Sequence, residues 1–461
     1  MKTGIRIDVS RRSKAGSEID AALPSKVTGR SAVLAPEVCG FDSLGQSDIP
    51  RRNAHNRLHE TIGLTEAIKL SVQYAEVVRI KTPRPSTLLG VGAVERFKEI
   101  VETLNVEVVI IGGSLTPIQQ RNLERAWHSK VIDRTALILE IFGARARTYE
   151  GRLQVELAAL SFQRSRLVHS WTHLERQRGG AGFLGGPGES QIELDRRQID
   201  DRIMLLKRDL EKVTKTRSLH RVARRRVPYP IVAFVGYTNA GKSSFFNTLT
   251  KSSVLAKNML FATLDPRMRR KNLPSGRSII LSDTVGFISE LPTHLVAAFK
   301  ATLEEVLEAD LIIHVRDISH PETEYQKNDV EAVLYELGVV GTPENTRLIE
   351  AWNKIDLLPI DHRSALFQRA NQDQVPISAL TGEGCQTFIE RIDEVLGKTD
   401  LTKKYALAPS DGAAIAWLHR HGRVLDQEIQ GDILYVTVAL TPADAGRFDD
   451  RFTKQSVVTI H

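Results

Sequence analysis

Eight consecutive residues, Gly236-Tyr237-Thr238-Asn239-Ala240-Gly241-Lys242-Ser243, follow the pattern G-x-x-x-x-G-K-[ST] in full. An apolar run at 231–235 precedes them, and a helical stretch at 244–249, opened by Ser244, follows; this strand-then-helix setting is what a phosphate-binding loop needs. Gly236 and Gly241 let the backbone curl so that successive N–H groups converge on phosphate oxygens. On this reading Lys242 reaches the β- and γ-phosphates, and the Ser243 hydroxyl ligates Mg²⁺.

Three further groups lie downstream in the order a nucleotide-binding α/β domain requires. A strand at 278–282 ends at Asp283-Thr284-Val285-Gly286, 41 residues beyond Lys242. Asp283 there is expected to hold Mg²⁺ through water, and the Gly286 amide to contact the γ-phosphate. Strands at 311–315 and 347–352 follow, the second opening into Asn353-Lys354-Ile355-Asp356. The Asp356 carboxylate can accept from both the N1–H and the 2-amino group of guanine. Adenine offers neither donor and would leave it unpaired, so discrimination of about 10⁴ is reasonable for such a site. Ser378-Ala379-Leu380, after a strand at 374–377, adds a backbone contact to the guanine O6. The expected activity is hydrolysis of GTP by a domain spanning 228–397, with Lys242 and Gly286 stabilising the transferred phosphoryl group. Phe287 follows Gly286 where several GTPases carry a water-orienting Gln. Phosphoryl transfer depends on positioning and charge stabilisation, so slow intrinsic hydrolysis is expected, with a partner ordering the site.

The elements that must position these groups are set in a chain of 461 residues, 41% hydrophobic and 26% charged, with a net charge of 63 − 56 = +7. Two cysteines, Cys39 and Cys385, exclude a disulfide framework and any multi-cysteine metal site. No apolar run of about 18 residues exists, and the first residues lack a secretory apolar core, so a cytoplasmic protein is expected. Residues 1–30 read as a disordered basic tail. From 31 to 150 strands (31–38, 75–80, 106–111) alternate with helices (60–74, 94–104, and 117 to about 127), predicting an N-terminal α/β domain. Residues 151–227 read as an antiparallel helical hairpin with a glycine-rich tip at 179–188. Its first arm carries a stripe at Leu153, Leu157, Leu160, Leu167, Trp171 and Leu174. Its second carries Ile199, Ile203, Leu206, Leu210 and Val213 at coiled-coil spacing. Between Arg196 and Arg226 twelve Lys/Arg stand against four Asp/Glu. Residues 398–461 predict a small α+β domain: a helix at 412–421, a hairpin of strands 423–430 and 433–440, and a helix at 441–451. The fold class is thus multidomain α/β, with the phosphate loop on a mainly parallel sheet flanked by helices.

The chain resembles the HflX family of ribosome-associated GTPases from about residue 31 to its end. Outside the nucleotide motifs the resemblance rests on Thr116-Pro117-Ile118-Gln119-Gln120-Arg121-Asn122-Leu123, Val131-Ile132-Asp133-Arg134-Thr135, Arg152-Leu153-Gln154-Val155-Glu156-Leu157-Ala158 and Gly186-Pro187-Gly188-Glu189-Ser190-Gln191. It implies GTP-dependent binding to the large (50S) ribosomal subunit and its rRNA, and dissociation of stalled or stress-arrested 70S ribosomes into subunits, by a monomer. It makes 261–266 the first switch, in which Thr263 completes Mg²⁺ coordination and senses the γ-phosphate. In GTPases with this form of phosphate loop, the Asn at position 239 can ligate a K⁺ that assists hydrolysis; the alternative is that Asn239 only caps the loop. With the charge count, the resemblance points to RNA contact through Arg196, Arg197, Arg224, Arg225 and Arg226. The rival readings are a ribosome-assembly GTPase binding precursor large subunits, and an RNA-remodelling protein whose N-terminal domain uses another nucleotide.

Overall fold

The computed structural model describes residues 29–38, 53–177, 187–224, 229–251, 261, 267–289, 306–339, 347–398, 400–452 and 458–460. The chain divides into two compact units. The first holds residues 1–216 with 257–265 and 289–302; the second holds 217–256, 266–288 and 303–461. The expected basic tail at 1–30, but for residues 29 and 30, the glycine-rich tip at 179–188, but for residues 187 and 188, and Thr263 lie outside the described residues.

In the first unit, β1 (Arg30–Val38), β2 (Ser71–Ile80), β3 (Val108–Ile111) and β4 (Lys130–Asp133) form one sheet in the order β2-β1-β3-β4. Every pairing is parallel. Helices α1 (Ala54–Ala67), α2 (Val91–Thr103), α3 (Pro117–Trp127) and α4 (Arg134–Arg145) alternate with the strands. Two of the sequence strings mark helix starts. Thr116 caps α3 in a reciprocal capping box with Gln119, and Pro117 takes the first turn, where its missing N–H costs nothing. Asp133 caps α4 by accepting from the Ala136 N–H at 2.8 Å, and also accepts from Arg166 at 3.0 Å.

The helix expected at 60–74 is corrected: α1 starts at Ala54 and stops at Ala67, and residues 71–74 belong to β2. Asn53 sets the start, its side chain accepting from the His55 N–H.

The hairpin arms are α5 (Tyr149–Gln177) and α6 (Pro187–Arg224). Glu156 pairs with Arg202 at 2.7 Å and Arg164 with Asp200 at 3.0 Å, so the arms run in opposite directions. Leu153, Ile203 and Leu206 are buried along the seam. Trp171 and Leu174 lie outside the described side chains. Arg196 and Arg197 are exposed on α6, Arg196 being 3.9 Å from Asp200. The side chain of Arg224, and Arg225 and Arg226 entirely, fall outside the described residues.

In the second unit, six strands run in the order β10-β9-β8-β5-β7-β6. These are β5 (Ile231–Val235), β6 (Arg267–Asn272), β7 (Ser278–Asp283), β8 (Leu311–Asp317), β9 (Arg347–Asn353) and β10 (Gln374–Pro376). All pairings are parallel except the antiparallel β6–β7 edge. The central strand β5 is an unbroken apolar run, as burial on both faces requires. Helices α7 (Lys242–Thr250), α8 (Thr323–Glu336), α9 (Ile360–Arg369) and α10 (Cys385–Gly397) connect the strands. Val232, Phe234, Phe245, Leu281, Ile313, Ile349 and Phe388 are among the residues of its core.

A second sheet in this unit, in the order β12-β13-β11-β14, is antiparallel. It comprises β11 (Leu401–Leu407), β12 (Arg423–Gln430), β13 (Ile433–Leu440) and β14 (Val458–Ile460), and packs with α11 (Gly412–His421) and α12 (Pro442–Phe452) around Tyr405, Val436 and Phe448. The expected hairpin and the 412–421 helix fall on these residues. Among the described residues no helix is long and apolar enough to cross a membrane.

Candidate nucleotide-binding site

The phosphate loop leaves β5 at its carboxyl end and enters α7 at Lys242. This is the edge of a parallel sheet where ligands collect in folds of this kind. Gly241 turns the chain with φ +95°, and a Cβ there would stand 2.1 Å from Asn353 Nδ2. Lys242 is buried, and its Nζ donates to the carbonyls of Gly236 at 2.9 Å and Tyr237 at 2.7 Å, so the amine lies across the mouth of the loop. Burial lowers its pKa to about 8, against the opposing pull of Asp283. Asn239, at the exposed tip of the loop, has φ +61°.

Asp283 ends β7 fully buried and accepts from the Ser243 hydroxyl at 2.8 Å. A hydroxyl and a carboxylate held together beside a phosphate loop are hard oxygen donors, a set that suits Mg²⁺, which takes one or two protein oxygens and completes its shell with phosphate and water. The residues present therefore fit the metal that such a fold implies.

The Asp283-Thr284-Val285-Gly286 turn lies directly on the loop. A Cβ on Gly286 would stand 3.0 Å from Lys242 Nζ and 3.1 Å from Thr238 Cα, so a larger residue would push the loop and the turn apart by a few tenths of an ångström. Phe287 then pairs with the loop: its N–H donates to the Gly236 carbonyl at 3.0 Å, and the Thr238 N–H donates to the Phe287 carbonyl at 2.7 Å. The phenyl ring is buried. Thr284 turns its hydroxyl to the Phe234 carbonyl, where it braces β7 against β5. Val285 is buried as well.

The base-recognition residues gather at the ends of β9 and β10. Asn353 is buried; its Nδ2 donates to the Ala240 carbonyl at 2.8 Å and its Oδ1 accepts from the Ala379 N–H at 2.9 Å. One side-chain amide thus ties the phosphate loop to the 378–380 segment. The Ser378 hydroxyl donates to Asp356 Oδ1 at 2.6 Å. Lys354, with φ +67°, donates to Asp317 Oδ2 at 2.6 Å. Leu380 is 84% exposed, so its part in the site falls to its backbone.

Two residues here were not singled out from the sequence. Arg363 donates to the Asp356 carbonyl at 2.7 Å and the Leu358 carbonyl at 3.1 Å, fixing the turn that carries the carboxylate. Asp317 anchors Lys354. Neither belongs to a motif string; both act through contacts made only when the strands are assembled.

Behind the site β8 and β9 enclose a charged cluster. Glu350 accepts from Arg316 at 2.6 Å, Lys327 at 2.7 Å and the Trp352 indole at 2.8 Å. His314 on the same strand face as Arg316 is buried, and desolvation lowers it to about 3, leaving it neutral.

Three family models match this chain: "GTP-binding GTPase N-terminal" over 55–143, "GTP-binding GTPase Middle Region" over 145–224, and "50S ribosome-binding GTPase" over 231–354. A protein of Magnetococcus marinus named GTPase HflX is 47% identical over 410 residues, covering 89% of this chain and 94% of its own. GTPase HflX of Escherichia coli is 44% identical over 333 residues, 72% of this chain and 77% of its own. Among solved structures, a GTP-binding protein from Sulfolobus solfataricus in complex with GDP aligns with 80% of this chain and 99% of its own at 23% identity and a TM-score of 0.42.

Proposed function

Because the chain belongs to the HflX family of GTPases, hydrolases whose nucleotide domain is of the ribosome-binding kind, we propose that it uses GTP to engage the large ribosomal subunit and separate stalled 70S ribosomes into subunits. The observation that carries this reading is the pairing, in one chain, of a guanine-type site with an antiparallel helix pair whose second arm is strongly basic. A slim basic hairpin can lie along phosphate backbones and enter a folded RNA. Arg196 and Arg197 are its exposed candidates, and Arg224, Arg225 and Arg226 follow in the sequence. The protein works as a monomer in the cytoplasm, where its ribosomes are.

In the site, the backbone N–H groups of residue 239 and of residues 241–243, at the start of α7, face the phosphates. Lys242 neutralises the β- and γ-phosphates, and Asp356 with the 378–380 backbone selects guanine. Ser243, Asp283 and Thr263 would hold Mg²⁺, which when bound neutralises charge on the triphosphate. Gly286 offers its N–H to the γ-phosphate, and Thr263 completes the sensing of that group. Phe287 has no group with which to orient water, so the unaided rate is low and the ribosome supplies the missing order. Asn239, at the loop tip, would hold K⁺ against the phosphates, the alternative being that it only caps the loop. Loss of the γ-phosphate frees the segments that carry Thr263 and Gly286 and releases the factor, an order–disorder transition of known type.

Sedimentation tests the reading. Purified protein with a non-hydrolysable GTP analogue should convert 70S particles into 30S and 50S, and ATP analogues should not. Intact 70S particles, with binding confined to immature large subunits, would replace it with the assembly reading.

A further inference from the structure

Away from the nucleotide site, two sheet edges in the second unit stand across a cleft of about 990 Å³. One wall is β6, the outer strand of its sheet, which puts Arg270 and Asn272 on the cleft; Arg267, Arg269 and Lys271 make the rest of the strand basic. The other wall is the end of α11 and the start of β12, itself an outer strand, carrying His419, Arg420 and Arg423. Charged residues on an outer strand often serve only to keep it from pairing with another chain. Here the cations are organised further than that role needs. Arg270 is pinned by Ser278 Oγ at 2.9 and 3.2 Å and stacks 4.8 Å above the Tyr229 ring, which fixes its guanidinium in one orientation on the cleft wall. Arg420 and Arg423 are exposed; Asp400, already paired with Arg277, also feels the charge of Arg423.

The acidic residues of the cleft are mostly engaged elsewhere. Asp400 pairs with Arg277, and Asp444 is buried at the start of α12 with Thr441 and Arg447. Asp426 is left as the exposed carboxylate against three exposed arginines. A peptide adding itself to either edge would need apolar pockets for its alternate side chains. The lining instead carries four arginines and two histidines against three aspartates, with Val424 and Leu425 among its few apolar side chains, and its exposed cations suit phosphodiester oxygens.

We propose that this cleft grips the phosphate backbone of a single RNA strand, through residues other than those of the basic helix pair. The proposal takes its source of RNA from the ribosome-binding reading, but its test needs no ribosome. Full-length protein is titrated into a fluorescent single-stranded RNA of about a dozen nucleotides across a salt series. In R420Q/R423Q the slope of log Kd against log salt should fall by about 1.4, close to 0.7 for each phosphate no longer neutralised. R270Q should lower it by about 0.7 on its own, and R420K/R423K should restore it, with GTP hydrolysis unchanged throughout. A 4-thiouridine version of the strand should cross-link within residues 419–427. Unchanged slopes in both glutamine variants, cross-links confined to 187–224, or displacement of the RNA by an acidic peptide at equal concentration would each overturn the proposal. Ribosome splitting that fails while this RNA binding persists would sink only the earlier reading.

Discussion

Asp356→Asn tests the origin of base selection most directly. The Ser378 hydroxyl donates to Asp356 Oδ1 at 2.6 Å, and Arg363 holds the backbone carbonyl of the same residue at 2.7 Å. An asparagine there keeps its oxygen on the Ser378 hydroxyl, so its amide nitrogen takes the place of Oδ2 and turns an acceptor toward the base into a donor. Guanine presents N1–H and a 2-amino group to this position. Two charge-assisted hydrogen bonds disappear, each worth about 1.5–3 kcal/mol, or about 3–6 kcal/mol together. That corresponds to a rise in the Kd for GTP of between about a hundredfold and ten-thousandfold. Xanthine carries a carbonyl in place of the 2-amino group and should gain what guanine loses, while ATP gains nothing. Calorimetry with GTP, xanthosine triphosphate and ATP on both proteins measures all three. A GTP affinity within about fivefold of the wild type, or no gain for the xanthine nucleotide, would refute the argument.

Lys242 should make GTP binding depend on pH. With the free amine near 8 and only the charged form matching the triphosphate, the Kd for GTP should rise above pH 8 by up to about tenfold per unit, with proton uptake on binding visible by calorimetry in buffers of different ionisation heat. If Asn239 holds a cation, hydrolysis in potassium should exceed that in sodium, and Asn239→Ala should abolish the difference; equal rates in both salts would assign Asn239 to capping the loop. Glu350→Gln removes the carboxylate shared by Arg316, Lys327 and Trp352, and should destabilise the fold by up to about 3–5 kcal/mol, because buried Arg316 then keeps only the exposed Glu324 as a charge partner. Burial works to raise the Glu350 carboxyl, but the hydrogen bonds from Lys327, Trp352 and Arg316 prevail and hold it at about 2, below its ordinary 4.5. Its stabilisation is therefore complete above pH 4.5 and drains away as pH falls toward 2, so urea midpoints of wild type and variant should converge over that interval.

The nucleotide site was legible in the sequence because its parts are contiguous strings at strand ends, where backbone shape and a few side chains suffice. Gly241, Ser243, Asp283, Asn353 and Asp356 occupy the positions expected of neighbours in one site. Arg363 was not legible, since its role is to brace a carbonyl across a turn that only the assembled fold creates. The boundary between α1 and β2 was misread because residues 71–80 are half-buried on an outer strand, where alternation is weak and Tyr74 fits a helical stripe as well. Strand β6 escaped notice for a related reason: its sequence RMRRKN has poor strand propensity, and antiparallel pairing with β7 supplies what the side chains do not.

The Asn353 amide has a thermodynamic consequence. Since it bonds the Ala240 carbonyl with one end and the Ala379 amide with the other, order at the polyphosphate end of the pocket and order at the heterocycle end are one event rather than two. Guanosine alone, or tripolyphosphate alone, must organise that strap unaided. The intact nucleotide organises it once, so the binding free energies of the fragments add up to less than that of the whole.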